Sequence, residues 1–209
     1  MSKKAASKKR ERDPAATRQR LIDATVRLML KQGFAATSVD MICTEAGMTK
    51  GSFFHHFESK EALGKAAVEW WGQMGTTLYA EAWKDAKLDP LKQLHRMFDI
   101  MAGFTLRPDE ACVCMVGMMS QELSATNPTM QAACARELDL WTTNVARMLA
   151  AAKKKHRPKK SFDPEAVAWF LNCLWQGSML VGKTCDSQKM IRHNLKLARS
   201  YVDGLFATA

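Results

Sequence analysis

Residues 37–63 read TSVDMICTEAGMTKGSFFHHFESKEAL. Thr37 to Asp40 has the form of a capping box, a hydroxyl and an acidic side chain three residues apart at a helix start. The short helix that follows stops at Ala46-Gly47. Thr49 caps a third, shorter helix. Ser59 caps a fourth, with Glu61 in its first turn, where negative charge is favourable. Two short helices joined by the turn EAGM make a helix-turn-helix. Phe53 and Phe57 are four residues apart, share one helix face and are expected to pack inward. Lys50, Ser52, His55 and His56 are left for the outer face and the helix start. Adjacent histidines point about 100° apart on a helix, so His55 and His56 cannot chelate one metal ion. No metal site is expected here. A helix whose first residues meet base edges in a DNA major groove fits the pattern better.

Working outward, four of the six prolines follow Asp or Asn: Asp13-Pro14, Asp89-Pro90, Asn127-Pro128 and Asp163-Pro164. An Asx side chain caps the free N–H groups of a helix start, and proline at the next position gives up an N–H that had no partner. Apolar residues then recur at spacings of three and four, as in Leu91, Leu94, Phe98, Met101 and in Leu138, Trp141, Val145, Leu149, which is the helical period. Alternating strand patterns are absent. The reading is all-α, with about nine helices. Gly33 is placed to end the first helix, with Phe34 after it as a hydrophobic plug.

The formal net charge of +10 is concentrated. Residues 1–20 carry +6 and residues 153–160 another +6, which leaves −2 for everything else. A basic terminal segment reads either as a solvated tail or as an arm that binds nucleic acid. Residues 153–160 read as a solvated, disordered loop. The N-terminus is polar and basic, without the apolar core of a secretory signal. No run of about 18 apolar residues offers a membrane span. A cytoplasmic protein with reduced thiols is the expectation.

Residues 17–63, TRQRLIDATVRLMLKQGFAATSVDMICTEAGMTKGSFFHHFESKEAL, resemble the DNA-binding domain of the TetR family of bacterial transcriptional regulators. The charge run reads as a disordered basic arm over 1–13, and the resemblance implies a helix-turn-helix domain over 14–60 and a ligand-binding and dimerisation domain over 61–209. It implies a homodimer on a palindromic operator, released when a small effector binds. Carried onto this chain, it places Thr37 and Ser38 against phosphate. Thr49, Lys50, Gly51 and Ser52 open the recognition helix, with Lys50 suited to guanine O6 and N7. His55 and His56 reach phosphate or base edges, and Lys60 holds a phosphate. The family usually has tyrosine where this chain has Phe54. The ring can still pack on sugar or a thymine methyl, but the hydroxyl contact is missing.

In the C-terminal half, ACVCMVGMMSQELS at 111–124 is similar to a segment of the subgroup of TetR-like repressors that sense electrophiles, which includes the repressor of N-ethylmaleimide reductase. The subgroup's cysteine stands eight residues before a glutamate, as Cys114 stands before Glu122. Its lysine late in the eighth helix is matched by Lys183. A thiolate is the reactive form, so a sensing cysteine needs a nearby cation or helix N-terminus. The simpler account of Cys114 is a small buried apolar residue, and the same holds for the other five cysteines. Trp141, Trp169 and Trp175 read as core or interface, with Trp141 and Trp175 as candidates for stacking on an effector. Fourteen methionines fit an adaptable pocket wall or plain core. The last two helices, about 163–183 and 187–206, correspond to the family's dimer surface. Trp175, Ser178 and Gly182 are expected at that interface, the small residues allowing close helix packing.

Two other readings compete with a ligand- or electrophile-responsive repressor. A thiol redox enzyme would use Cys112 and Cys114, but no histidine is obviously placed as a base and no cofactor motif such as G-x-G-x-x-G appears. A nonspecific architectural protein would bind DNA by charge alone, which leaves a defined recognition helix without purpose. No cofactor is expected.

Overall fold

The computed structural model describes residues 13–84, 87–106 and 112–207. The arm expected over 1–13 therefore lies, apart from Asp13, outside the described residues. Those residues form ten α-helices and no strand. They are α1 (Pro14–Gln32), α2 (Val39–Ala46), α3 (Lys50–His56), α4 (Lys60–Leu78), α5 (Ala80–Lys84), α6 (Pro90–Phe104), α7 (Met115–Leu123), α8 (Pro128–His156), α9 (Pro164–Thr184) and α10 (Gln188–Phe206). The tenth is α5, a short segment set off from α4 at Tyr79. No proline or glycine marks that break.

All four Asx-Pro pairs cap helices. Asp13, Asp89 and Asp163 each accept the N–H two residues on, and Asn127 accepts that of Met130. Gly33 ends α1 at φ 85°, donating its N–H to the carbonyl of Met29. Phe34 behind it is buried.

The chain divides into two compact units, Met1–Ala67 and Val68–Ala209. The division falls within α4, whose first turns bury Leu63, Ala66 and Ala67. In the first unit, Leu21, Ile22 and Met29 of α1, Ile42 of α2, Phe53 of α3 and Leu63 of α4 are almost wholly buried. In the second unit α8 packs against α6, α7 and α9, and α10 packs on α9 and α6. Buried Asn172 and Thr142 there satisfy each other. Asn172 donates to Thr142 Oγ1 at 2.8 Å and to the carbonyl of Leu138 at 3.2 Å.

The basic run 153–160 is not a disordered loop. Lys153, Lys154, Lys155 and His156 form the last turn of α8, where positive charge is favourable. Lys153 Nζ donates to Ser161 Oγ and to the carbonyl of Phe162. Lys155 Nζ and His156 Nε2 lie 2.9 and 3.0 Å from the carboxylate of Asp89, the α6 cap. Desolvation pushes that carboxyl up, but the bonds from Lys155, His156 and the Leu91 N–H outweigh it and hold it well below the usual carboxylate range. A depressed folded-state pKa stabilises above the unfolded value, about pH 4, and the gain is lost as pH falls below it. Asp89→Asn keeps the cap and removes the charge. It is expected to lower stability by about 1 kcal/mol at pH 7. The gap to wild type should begin to narrow below about pH 4 and close only as pH falls through the depressed folded value, so urea melts at pH 7 and pH 3 should show it reduced but not gone.

Candidate nucleic-acid interface

The helix-turn-helix is built by its caps. Ser38, not Thr37, caps α2, accepting the Met41 N–H at 3.2 Å. Thr37 is fully buried, and its hydroxyl donates to the carbonyl of Gly33. The Thr37 side chain is thus engaged inside the unit, while Ser38 is exposed at the helix start. Gly47 ends α2 in the left-handed region at φ 64°, ψ 41°. Its N–H and that of Met48 close the last carbonyls of α2. A Cβ at Gly47 would stand 3.2 Å from Arg20 Nη2, which donates to the Ala46 carbonyl at 2.7 Å. Strain at positive φ and a tight neighbour both favour glycine there.

Thr49 accepts the Ser52 N–H and starts α3. Phe53 is wholly buried and Phe57, at the C-cap, nearly so. Their inward packing leaves Lys50, Gly51, Phe54 and His55 exposed and Ser52 and His56 half-buried. Phe54 is 57% exposed. Its ring meets Phe53 edge-on at 5.0 Å. The His55 and His56 rings lie 5.1 Å apart at 75°. Among the described residues no group of three His, Cys, Asp or Glu side chains stands ready for a metal ion.

Cations in this unit divide by role. Arg20 ties α1 to the end of α2, and Arg27 pairs with Glu45 at 2.8 Å. Arg18 lies 4.9 Å from the centre of the Phe57 ring. Lys60 turns inward. Its ammonium donates to the carbonyls of Phe34 and Thr37, each at 3.0 Å, and lies 4.1 Å from the Phe34 ring centre. Those bonds close the α1–α2 loop onto the start of α4. The phosphate role expected of Lys60 would compete with these bonds. Lys60→Ala should lower stability of the N-terminal unit by about 2 kcal/mol, the scale of hydrogen bonds to a charged group. The slope of log K against log salt for DNA binding should stay as in wild type. Unchanged stability with a shallower slope would return Lys60 to phosphate.

Lys50 stands apart at the first position of α3. Its Nζ is 2.8 Å from Asp40 of α2, with both side chains largely exposed. The hydrogen bond to Asp40 pushes the Lys50 pKa up, so the residue presents a full positive charge. Asp40 was not singled out in the sequence beyond its capping role. Its signal is the ten-residue gap to Lys50, meaningful only once the turn brings the two helix starts together.

The geometry agrees with what the chain is similar to. A profile described as "Bacterial regulatory proteins, tetR family" matches residues 21–67. One described as "Tetracyclin repressor-like, C-terminal domain" matches residues 90–198, over half the chain. The transcriptional regulator AcuR of Cereibacter sphaeroides is 30% identical over 172 residues, 82% of this chain and 78% of AcuR.

The chain belongs to the TetR family.

It resembles the repressor NemR of Escherichia coli too, at 40% identity over 53 residues, 25% of this chain and 27% of NemR. The crystal structure of reduced Escherichia coli NemR superposes with a TM-score of 0.81 at 23% identity, covering 93% of this chain and 98% of NemR; that likeness shows the fold. A regulatory protein TetR from Rhodobacter sphaeroides gives 0.76 at 26% identity, over 91% and 99% of the two chains.

In the C-terminal unit of this TetR-family chain, Cys114 is half-buried and occupies the N-cap of α7 without a side-chain capping bond. Lys183 Nζ lies 3.9 Å from Met118 Sδ. Cys43, Cys112 and Cys134 are buried as expected, but Cys173 and Cys185 are exposed. Trp141 is half-buried and Trp175 buried. The three expected interface residues face inward. Trp175 joins the core, Ser178 Oγ accepts from Asn194 Nδ2 at 3.0 Å, and Gly182 abuts Ile191. The exposed apolar stripe of α9 runs instead through Phe170, Leu180 and Val181, with exposed Cys173 and open space above Gly177. Leu197 and Tyr201 expose apolar surface on α10, and Tyr201 packs edge-on against Phe170 at 5.2 Å. No described helix is long and apolar enough to cross a membrane.

Proposed function

We propose that the protein is an effector-responsive repressor, not an enzyme, that works in the cytoplasm. It binds a palindromic operator as a homodimer and lets go when a small molecule occupies the C-terminal unit. The observation that carries this is the split of α3: Phe53 and Phe57 are buried, while Lys50, Gly51, Phe54 and His55 are presented outward. Lys50 reads a guanine edge. Ser38, Thr49, Ser52, His55 and His56 hold backbone or base edges, and Phe54 packs on sugar or a thymine methyl.

Residues 13–67 carry seven Lys and Arg against six Asp and Glu, and several of those cations are engaged within the unit. Phosphate neutralisation therefore falls largely to the arm, where residues 1–12 hold six Lys and Arg against one Glu. The effector is either an electrophile that modifies Cys114 or a reversible ligand. Relatives named as transcriptional regulators, AcuR and NemR among them, support a regulator over a thiol enzyme. The test is selection of bound sites from random DNA, followed by footprinting. An inverted repeat, with half-sites one helical turn apart or a multiple of it, supports the reading. Sites without shared sequence overturn it.

A further inference from the structure

Trp83 Nε1 is the one buried side-chain nitrogen or oxygen among the described residues that lacks a hydrogen-bond partner. Trp83 is 6% exposed. Leaving a buried donor unpaired is costly, so such a group calls for a reason. Its surroundings fix it well. The Tyr79 ring stacks on it, centres 5.0 Å apart and planes 16° apart, and Phe104 meets Tyr79 edge-on. Its backbone carbonyl accepts from Arg147 Nη2 at 3.2 Å. The neighbouring indole is satisfied, since Trp141 hydrogen-bonds the buried Tyr79 hydroxyl. Trp83 is thus a rigid donor with nothing to donate to.

Resting on the regulator reading above, we propose that Trp83 Nε1 is the hydrogen-bond donor of the effector site, and that it takes a small neutral molecule whose carbonyl oxygen sits on an apolar or planar body. The same core supplies Met97, Met101, Met148 and Met179, whose flexible side chains can make room for a ligand. No charged side chain is buried among the described residues, and the cation beside Trp83, Arg147, is already held by the Trp83 carbonyl and Asn144 Oδ1, so a carboxylate or ammonium ligand would enter the core unpaired at heavy cost. A neutral carbonyl needs one donor and apolar contact. The cluster includes Cys112, whose thiol burial pushes up to about 11. It stays protonated at neutral pH and is a poor nucleophile, which suits reversible capture.

Trp83→Phe keeps a ring on Tyr79 and removes only the donor. The ligand-free variant should melt at or above wild type, by up to a few degrees, because an unsatisfied group is gone. With ¹⁵N-labelled tryptophan, the Trp83 indole resonance is assigned by its absence in the variant. Acetone, cyclohexanone and acetophenone are titrated in turn, with methylenecyclohexane as the hydrocarbon control. At least one ketone should move that resonance downfield to saturation, the hydrocarbon should not, and Trp83→Phe should bind that ketone about tenfold more weakly. The proposal falls if no ketone moves the resonance, or if the hydrocarbon moves it equally. It falls too if the free protein already shows a hydrogen-bonded indole, the mark of a resident water, or if Trp83→Phe binds the ketone as well as wild type. Operator binding, followed by anisotropy alongside, is read separately. Specific operator binding with an unchanged ketone response in Trp83→Phe would sink this site and leave the repressor intact.

Discussion

Leu180→Asp is expected to turn a dimer into monomers and to abolish operator binding. Leu180 is 47% exposed in the protomer, in the stripe that includes Phe170 and Val181. Burying such side chains against a second copy yields about 1.5–3 kcal/mol each. A carboxylate in the middle of that surface loses the apolar gain and adds an unpaired buried charge. The dimer constant should weaken by at least about 1,000-fold, roughly 4 kcal/mol. One head then covers one half-site, and operator affinity collapses. Sedimentation velocity at micromolar concentration reads the first effect and anisotropy the second. A Leu180→Asp protein that still sediments as a dimer would place the interface elsewhere. Ser178→Glu is a different experiment. Ser178 lies against Asn194 inside the protomer, so that change should unfold the C-terminal unit rather than split a dimer.

Phe53→Ala carries the second large effect. Phe53 is wholly buried at the centre of α3 and touches the rings of Phe54 and Phe57, with centres 5.0 and 6.2 Å away. Truncating a buried phenylalanine costs about 3–5 kcal/mol, by lost transfer energy and by the cavity left behind. A unit as small as residues 13–67 has about that much stability in total. The N-terminal unit should therefore melt while Val68–Ala209 stays folded, giving two separated transitions by circular dichroism. A single transition close to wild type would show that Phe53 is not the keystone of the head.

Much of this architecture was legible in the chain because its signals are local. A cap, a proline and an apolar period act within one or two turns, so the Asx-Pro starts and the Gly33, Gly47 and Ser59 boundaries could be read directly. Side-chain direction could not. Thr37 and Ser38 are both plausible caps, and the choice follows from Thr37 Oγ1 bonding back to Gly33. Lys60 looks like a surface cation, yet two carbonyls 23 and 26 residues earlier in the chain claim it. On α9, Trp175, Ser178 and Gly182 share a face by periodicity, but periodicity alone does not say which face is core. Contacts with Asn194 and Ile191 decide that. The basic run 153–160 read as loop by charge, and Asp89, far back in the chain, turns half of it into the end of a helix.

The central claim is that α3 reads sequence, with Lys50 among the reading groups. Its most direct test is the ratio of affinities for the selected operator and for scrambled DNA of equal length, in wild type and in Lys50→Ala, at one fixed salt concentration. The account predicts a wild-type ratio of about 1,000 or more. Lys50→Ala should cut operator affinity by about 10- to 100-fold and leave scrambled DNA nearly unchanged. A wild-type ratio near one, or equal losses on both DNAs, would contradict it.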